Sequence, residues 1–309
     1  MNAPSSEERG LKQHSRYVLL TAAYNEESTI EKTIQSVLSQ TQLPERWVIV
    51  SDGSVDRTDE IVQGYAEKHD FLRLLRLTRA PGRSFGSKVK ALRAGSELIQ
   101  TNTFDFIGNL DADISVAPSY FEDLLAYFDQ RPRLGLAAGF IHEEVDGKFT
   151  SRRVNRTYSV GHQAQLVRRE CYEAIGGYAV LEYGGEDWHA ETAARMNGWE
   201  VEAFPELEIL HHRHAGGAEN LLRYKFREGR MDHSLGSGLL FEILKCLVRL
   251  REKPRVAGSV ARFSGFIWSY LCRDKRPVSD EFVAFLRGQE RERVSAMFDG
   301  FRRRPHSEN

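Results

Sequence analysis

YVLLTAAYNEESTIEKTIQSVLSQTQLPERWVIVSDGS, residues 17–54, holds two short apolar runs with an amphipathic segment between them. Residues 17–24 read as a buried strand. Residues 27–40 read as a helix, because Ile30, Ile34, Val37 and Leu38 recur on one face at helical spacing. Residues 46–51 form a second strand that runs into Asp52-Gly53-Ser54. A second helix starts near Asp56, whose carboxylate can cap its first turn. The same alternation continues outward through a third strand (71–77), a Gly/Arg-rich loop (78–86), a helix (87–100) and a fourth strand (104–110). Strands that alternate with helices in this way predict an α/β fold with a mostly parallel, doubly wound sheet of Rossmann-like type.

Further along, 134–140 is a fifth apolar stretch. A polar, basic section follows to about Ser159, then a mixed strand and helix region to about His214. From about residue 220 the alternation stops and the chain reads as helices, broken by Pro254 and Pro277. Three regions are expected: a polar N-terminal tail (1–16), an α/β domain (17–219) and a basic helical extension (220–309).

The charge distribution supports the last boundary. The 309 residues carry 43 Lys plus Arg and 44 Asp plus Glu, a formal net charge of −1. Residues 221–309 alone hold 19 basic and 11 acidic side chains, which leaves 24 and 33 for the rest. A neutral total therefore conceals an acidic body and a basic tail, the pattern of a tail that meets an anionic surface. Three widely spaced cysteines, Cys171, Cys246 and Cys272, suit a reducing compartment rather than a disulfide framework or metal knuckle. The first 16 residues lack an apolar signal segment, and no run of 18 charge-free apolar residues occurs. The expectation is a cytoplasmic protein, peripheral at the inner face of the cell membrane through its tail.

In an open parallel sheet, ligands bind beyond the carboxyl ends of the strands. Here those ends are acidic: Tyr24-Asn25-Glu26, Asp52-Gly53-Ser54 and Asp111-Ala112-Asp113. One loop acid would be an ordinary turn former, but three at one edge are harder to place structurally. Asp111 and Asp113 can supply oxygen ligands to Mg²⁺ or Mn²⁺, and carboxylates facing a pyrophosphate need such a cation between them. Neither G-x-G-x-x-G after the first strand nor G-x-x-x-x-G-K-[ST] is present, which argues against dehydrogenases and P-loop enzymes.

Thr21-Ala-Ala-Tyr-Asn-Glu26, Ser51-Asp-Gly-Ser-Val-Asp-Arg-Thr58, Gly86-Ser-Lys88, Asp111-Ala-Asp113 and Gly184-Gly-Glu-Asp187 occur in an order and spacing that resembles the family-two glycosyltransferases of GT-A fold, over roughly residues 16–215. Ala23 stands where that family often has proline. The resemblance implies an inverting enzyme that uses a nucleotide-sugar donor. It further implies that Tyr24 stacks on the base and Asp52 accepts from it, with Glu26 at base or ribose. Lys88 would lie near the donor and Asp111 near ribose and metal, with Asp113 as a direct metal ligand. Asp187 would be the catalytic base, assisted by Glu186. A histidine downstream of the Glu-Asp pair can complete the metal site in such enzymes; His212 or His211 is favoured within His211-His212-Arg213-His214, and Arg213 could instead face the pyrophosphate.

The chemistry asks for the same parts. Inverting sugar transfer resembles inverting hydrolysis with an acceptor hydroxyl in place of water, so one carboxylate must take a proton. A divalent ion can neutralise the leaving diphosphate, which removes the need for a second carboxylic acid. Arg79, Arg83 and Lys88, around Gly82 and Gly86, would form a basic loop over that diphosphate, with a helix N-terminus adding its dipole.

In the tail, residues 239–250 confine their polar groups to Glu242, Lys245 and Arg249 on one narrow helical stripe, the pattern of a helix either packed within the protein or an oligomer or, the favoured reading, laid against a bilayer with the two cations reaching for headgroups. Residues 256–272 are a second apolar segment, flanked by further basic residues. The combined expectation is transfer of a single sugar from a UDP- or GDP-linked donor to a saccharide or lipid-linked saccharide, in polysaccharide or cell-envelope glycan synthesis. The Q-x-x-R-W sequence usual in processive synthases is absent. Competing readings are a sugar-phosphate nucleotidyltransferase, which would carry a glycine-rich basic signature after the first strand, and a non-catalytic membrane-surface protein. Nucleic acid is an unfavoured partner, for want of an interleaved aromatic surface.

Overall fold

The computed structural model describes residues 15–78, 86–99, 103–145, 147–152, 155–212 and 221–302. Arg79, Arg83, Arg213, His214 and most of the N-terminal tail therefore lie outside the described residues.

Strands β1 (Tyr17–Ala23), β2 (Arg46–Ser51) and β3 (Leu72–Arg76) alternate with helices α1 (Ile30–Leu38), α2 (Thr58–Ala66) and α3 (Ser87–Glu97) before β4 (Phe106–Leu110). β1 and β2 are almost wholly buried because helices cover the sheet, which is why both read as continuous apolar runs. Their few polar groups are satisfied: the Trp47 indole donates to Thr21 Oγ1 at 3.0 Å. α1 begins three residues later than its periodicity suggests, because Thr29 and Ile30 N–H groups turn back onto the Glu26 carbonyl. Asp56 does cap α2, its Oδ1 accepting from the Thr58 N–H at 3.0 Å.

β5 (Ile114–Val116), α4 (Tyr120–Gln130), β6 (Leu134–Val145), β7 (Lys148–Ser151), β8 (Ala164–Arg168), α5 (Arg169–Ala174), α6 (Glu186–Met196) and β9 (Glu200–His211) complete the α/β part. The sheet order is β3-β2-β1-β4-β8-β6-β9-β5, with β7 paired to β6. The first four strands are mutually parallel, as expected. Beyond β4 the sheet becomes mixed: β8 enters antiparallel between β4 and β6, and β6 pairs β9 in parallel. The strand order reverses at β1 and β4, so the crevice that open sheets use for ligands opens beside Tyr24 and Asp111.

Four helices follow: α7 (Leu221–Ser234), α8 (Leu239–Val248), α9 (Arg255–Leu271) and α10 (Asp280–Arg302). α7 crosses α9 where two glycines meet backbone. A Cβ on Gly229 would lie 1.9 Å from the Arg262 carbonyl oxygen, and one on Gly265 the same distance from that of Phe226. Gly265→Ala is expected to cost about 1–3 kcal/mol as an overpacked contact, read as a lowered midpoint in urea unfolding.

The polar stripe of α8 departs from its sequence reading. Glu242 is fully buried and Lys245 points inward, its Nζ 2.8 Å from Asp232 Oδ1. Lys245 therefore does not reach for headgroups. The reason is local pairing: Arg262 of α9 bonds Glu242 Oε1 at 3.0 Å, Glu228 Oε2 at 2.9 Å and Asp232, so three helices share one charge cluster. Buried charge is tolerated where it is paired in this way.

Candidate active site

The loops after β1 and β2 are fixed by each other. Asn25 adopts φ 54°, its N–H donates to Ser54 Oγ at 3.1 Å, and its Oδ1 accepts from the Val55 N–H at 2.9 Å. This staples the loop after β1 to the loop after β2. Tyr24 is left 42% exposed at the crevice, while Glu26 is buried and its Oε2 accepts from Thr29 Oγ1 at 2.9 Å. The Asp52 N–H donates to the Ala23 carbonyl at 2.9 Å, holding that aspartate beside the end of β1.

Lys88, in the first turn of α3, reaches across to Asp111 after β4, with Nζ 2.6 Å from Oδ1. Asn109 Nδ2 donates to the same carboxylate oxygen at 3.2 Å. Burial opposes the Lys88 charge, yet Asp111, Glu186 and Asp187 together hold its pKa above the ordinary lysine range. The ammonium paired with Asp111 thus also lies in the field of the Glu-Asp pair at the start of α6.

That pair is delivered by a sharp turn. Gly184 and Gly185 have φ of +84° and +90°, left-handed values that favour glycine, and α6 begins at once with Glu186. Asp187 Oδ1 accepts from the Trp188 N–H at 2.7 Å. Burial and the adjacent Glu186 push the Asp187 pKa up to about 6. A carboxylate so poised can exchange a proton near neutral pH.

Two contributors escaped the sequence reading. His162 is buried, with its Nδ1 4.0 Å from Glu186 Oε1, and burial followed by Lys88 drives its pKa well down, so it faces Glu186 as a neutral imidazole. Glu191, one turn beyond Asp187 on α6, accepts from Ser159 Oγ at 2.9 Å and from the Val160 N–H at 2.6 Å, which fixes the chain leading to His162. Its i+4 spacing from Asp187 was the available signal. The C-terminal helices pack behind the turn: Arg227 donates to the Tyr183 carbonyl at 2.8 Å, and Lys245 Nζ lies 4.8 Å from the Trp188 ring centroid.

The histidines separate by register. β5 pairs antiparallel with β9, placing Ile114 opposite His211, and His211 Nε2 lies 3.2 Å from Asp113 Oδ2. His212 turns away, its Nε2 2.8 Å from Ser115 Oγ and its ring edge-on to Phe149. Of the two favoured histidines, His211 and not His212 thus has its ring beside Asp113. Among the described residues no group of three or more His, Cys, Asp or Glu is gathered as a ready metal cage. One carboxylate and one imidazole, with Asp111 in the field of Asp113, are donors that a divalent cation can take, and its other ligands would have to come from outside this pair.

Comparison with known proteins bears on this arrangement. Poly-β-1,6-N-acetyl-D-glucosamine synthase of Staphylococcus epidermidis is 33% identical over 124 residues, which cover 39% of this chain and 27% of that protein. The Staphylococcus aureus (strain COL) enzyme of the same name is 34% identical over 123 residues, with the same coverage. The match thus spans about a quarter of the length of these curated relatives. Among solved structures, the Pyrobaculum calidifontis mannosyltransferase PcManGT, in complex with GDP-mannose and Mn²⁺, superposes with TM-score 0.54 at 17% identity, over 94% of this chain and 83% of that one. GalNAc-T7 with UDP, GalNAc and Mn²⁺ gives 0.57 at 13% identity, over 86% and 59%. These likenesses establish the GT-A fold. The sequence pattern described as glycosyl transferase family 2 matches residues 19–182, more than half of the chain, and the chain belongs to that family.

Proposed function

We propose that this glycosyltransferase moves a single sugar, with inversion, from a UDP- or GDP-linked donor to a saccharide or lipid-linked saccharide in polysaccharide or cell-envelope glycan synthesis. The observation that carries the reading is one sheet edge where Lys88 pairs with Asp111 at 2.6 Å, the Asp113 and His211 pair stands on the neighbouring strands, and His162 lies against Glu186 beside Asp187. Family membership favours sugar transfer over nucleotidyl transfer. The relatives' names support a glycan product, and the nucleotide and Mn²⁺ complexes of the structural neighbours support the donor class and the cation.

In this reading Tyr24, Glu26 and Asp52 hold the nucleoside, and Lys88 and Asp111 the ribose and diphosphate side of the donor. Asp187 takes the proton of the acceptor hydroxyl, and Glu186 orients the acceptor. Asp113 and His211 would hold Mn²⁺ or Mg²⁺, which when bound supplies positive charge to the departing nucleoside diphosphate; the imidazole tilts the set toward Mn²⁺, since Mg²⁺ takes oxygen ligands. Residues 17–219 form the transfer unit, and residues 220–309 carry it to a membrane surface at the inner face of the cell membrane.

Titration calorimetry with UDP and with GDP, each with and without Mn²⁺, tests the donor assignment. Affinity for one nucleotide that depends on the cation is expected, together with a rise in melting temperature. Absence of nucleotide affinity in the presence of Mn²⁺ would remove the reading.

A further inference from the structure

The buried charge cluster has an outward consequence. Because Lys245 and Arg262 turn to Asp232 and Glu228 of α7, and Glu242 to Arg262, α8 and α9 present their apolar sides away from the protein. Glu242 is 0% exposed while Leu240, two residues earlier, is 67% exposed. On α8, Leu239, Leu240, Ile243 and Leu247 follow one another on the exposed side. On α9 the exposed stripe is Val256, Val260, Trp268 and Leu271, at helical spacing. These are helices with the polarity of their faces reversed relative to an ordinary surface helix.

Basic side chains stand at both ends of the α9 stripe. Arg251, Lys253 and Arg255 are exposed at the α8–α9 connection, and Arg273, Lys275 and Arg276 are exposed just past the end of α9. Trp268 and Tyr270, 55% and 64% exposed, supply the amphipathic rings that settle at headgroup level. Among the described residues no helix is long and apolar enough to cross a membrane. An apolar stripe rimmed by cations on a helix too short or too polar to span is suited to lie in the plane of an anionic interface.

We propose that the outward faces of α8 and α9 dock the protein onto an anionic lipid bilayer, with Leu240, Leu247, Val260 and Leu271 entering the acyl boundary and the flanking Arg and Lys on headgroup phosphates. The proposal rests on the membrane reading of residues 220–309 and names the face and lipid class for it. It is independent of the donor and the transfer chemistry. Charge selects the occupant: a second copy of this chain would bring the same basic rim against itself.

Co-sedimentation of the full chain with phosphatidylcholine vesicles, and with vesicles mixing phosphatidylcholine and phosphatidylglycerol, tests it. Wild type is expected to bind the mixed vesicles, weakly or not at all the neutral ones, and less as salt rises. A Leu240→Glu/Val260→Glu variant should lose at least about tenfold in partitioning. An Arg251→Ser/Lys253→Ser/Lys275→Ser variant should lose roughly 100-fold on mixed vesicles, at about fivefold per cation. Both variants should keep wild-type nucleotide calorimetry, which reports that the fold and donor site are intact. A blue shift of tryptophan emission on binding that Trp268→Phe abolishes would place α9 in the interface. If the face variants bind as wild type does, the face is wrong while the membrane reading stands. If wild type ignores both vesicles, both fall. If ultracentrifugation shows a dimer that Leu240→Glu/Val260→Glu dissociates, a second copy covers the face and the lipid proposal is overturned.

Discussion

Asp187→Asn is expected to lower kcat by roughly 10²–10⁴-fold, the range ascribed to a positioned general base, while leaving nucleotide affinity at the wild-type level. The substitution keeps shape and a carbonyl oxygen that can still accept from the Trp188 N–H, so the start of α6 is preserved. What is lost is the capacity to take a proton. Calorimetry and single-turnover transfer, run on one preparation, separate the two quantities. A variant that transfers at the wild-type rate would show that another group takes the proton, and Glu186 would be the next to test.

The pH dependence gives the same assignment a second, independent handle. Burial and Glu186 raise the Asp187 pKa to about 6, so below that pH the proposed base is mostly protonated. As pH rises through about 6 the carboxylate ionises, and kcat/KM, which reports the free enzyme, should rise with it. Glu186→Gln removes one of the two causes of the raised value. Its acid limb should therefore move to lower pH, whatever happens to the maximal rate. A limb that stays in place would separate Glu186 from the ionisation of Asp187.

The parts of this site that could be read from the chain are those specified locally. β1, β2 and the start of α3 follow from apolar runs and from the loop chemistry that ends them, and the acids after β1, β2 and β4 stand at the crevice because strand ends are sequence features. Choosing between His211 and His212 depends instead on how β9 registers against β5, nearly a hundred residues earlier, and a shift of one residue exchanges the two faces. The antiparallel entry of β8 beside β4 is a long-range event of the same kind. α8 misled for a different reason. Polar groups such as Glu242 and Lys245 ordinarily mark the wet side of a helix, and Arg262 and Asp232, on two other helices, turn these two inward. His162 gave no signal at all, because its role arises from burial against Glu186 rather than from any motif.

Asp113→Ala is expected to remove the Mn²⁺ dependence of nucleotide affinity, by more than the roughly 10–100-fold that changes to groups behind a metal ligand cost. Of the two acids in the Asp111-Ala112-Asp113 loop, Asp111 is engaged by the Lys88 ammonium at 2.6 Å, whereas Asp113 accepts at 3.2 Å from His211 Nε2, whose ring takes a hydrogen bond from Arg152 at Nδ1; a cation would replace the Nε2 proton between that nitrogen and Asp113. Removing Asp113 leaves His211 without the carboxylate of the proposed cation pair. His211→Ala should therefore weaken Mn²⁺-dependent affinity in the same direction. His212→Ala should leave it near wild type, since the His212 ring is committed to Ser115 and Phe149. The comparison of adjacent histidines controls for general damage to the end of β9, and calorimetry with Mn²⁺ and nucleotide alone reads it without any acceptor. Full Mn²⁺-dependent affinity in Asp113→Ala would remove the cation site from this edge of the sheet. Loss confined to His212→Ala would return the ligand to the other face of β9 and require a register different from the pairing of Ile114 with His211.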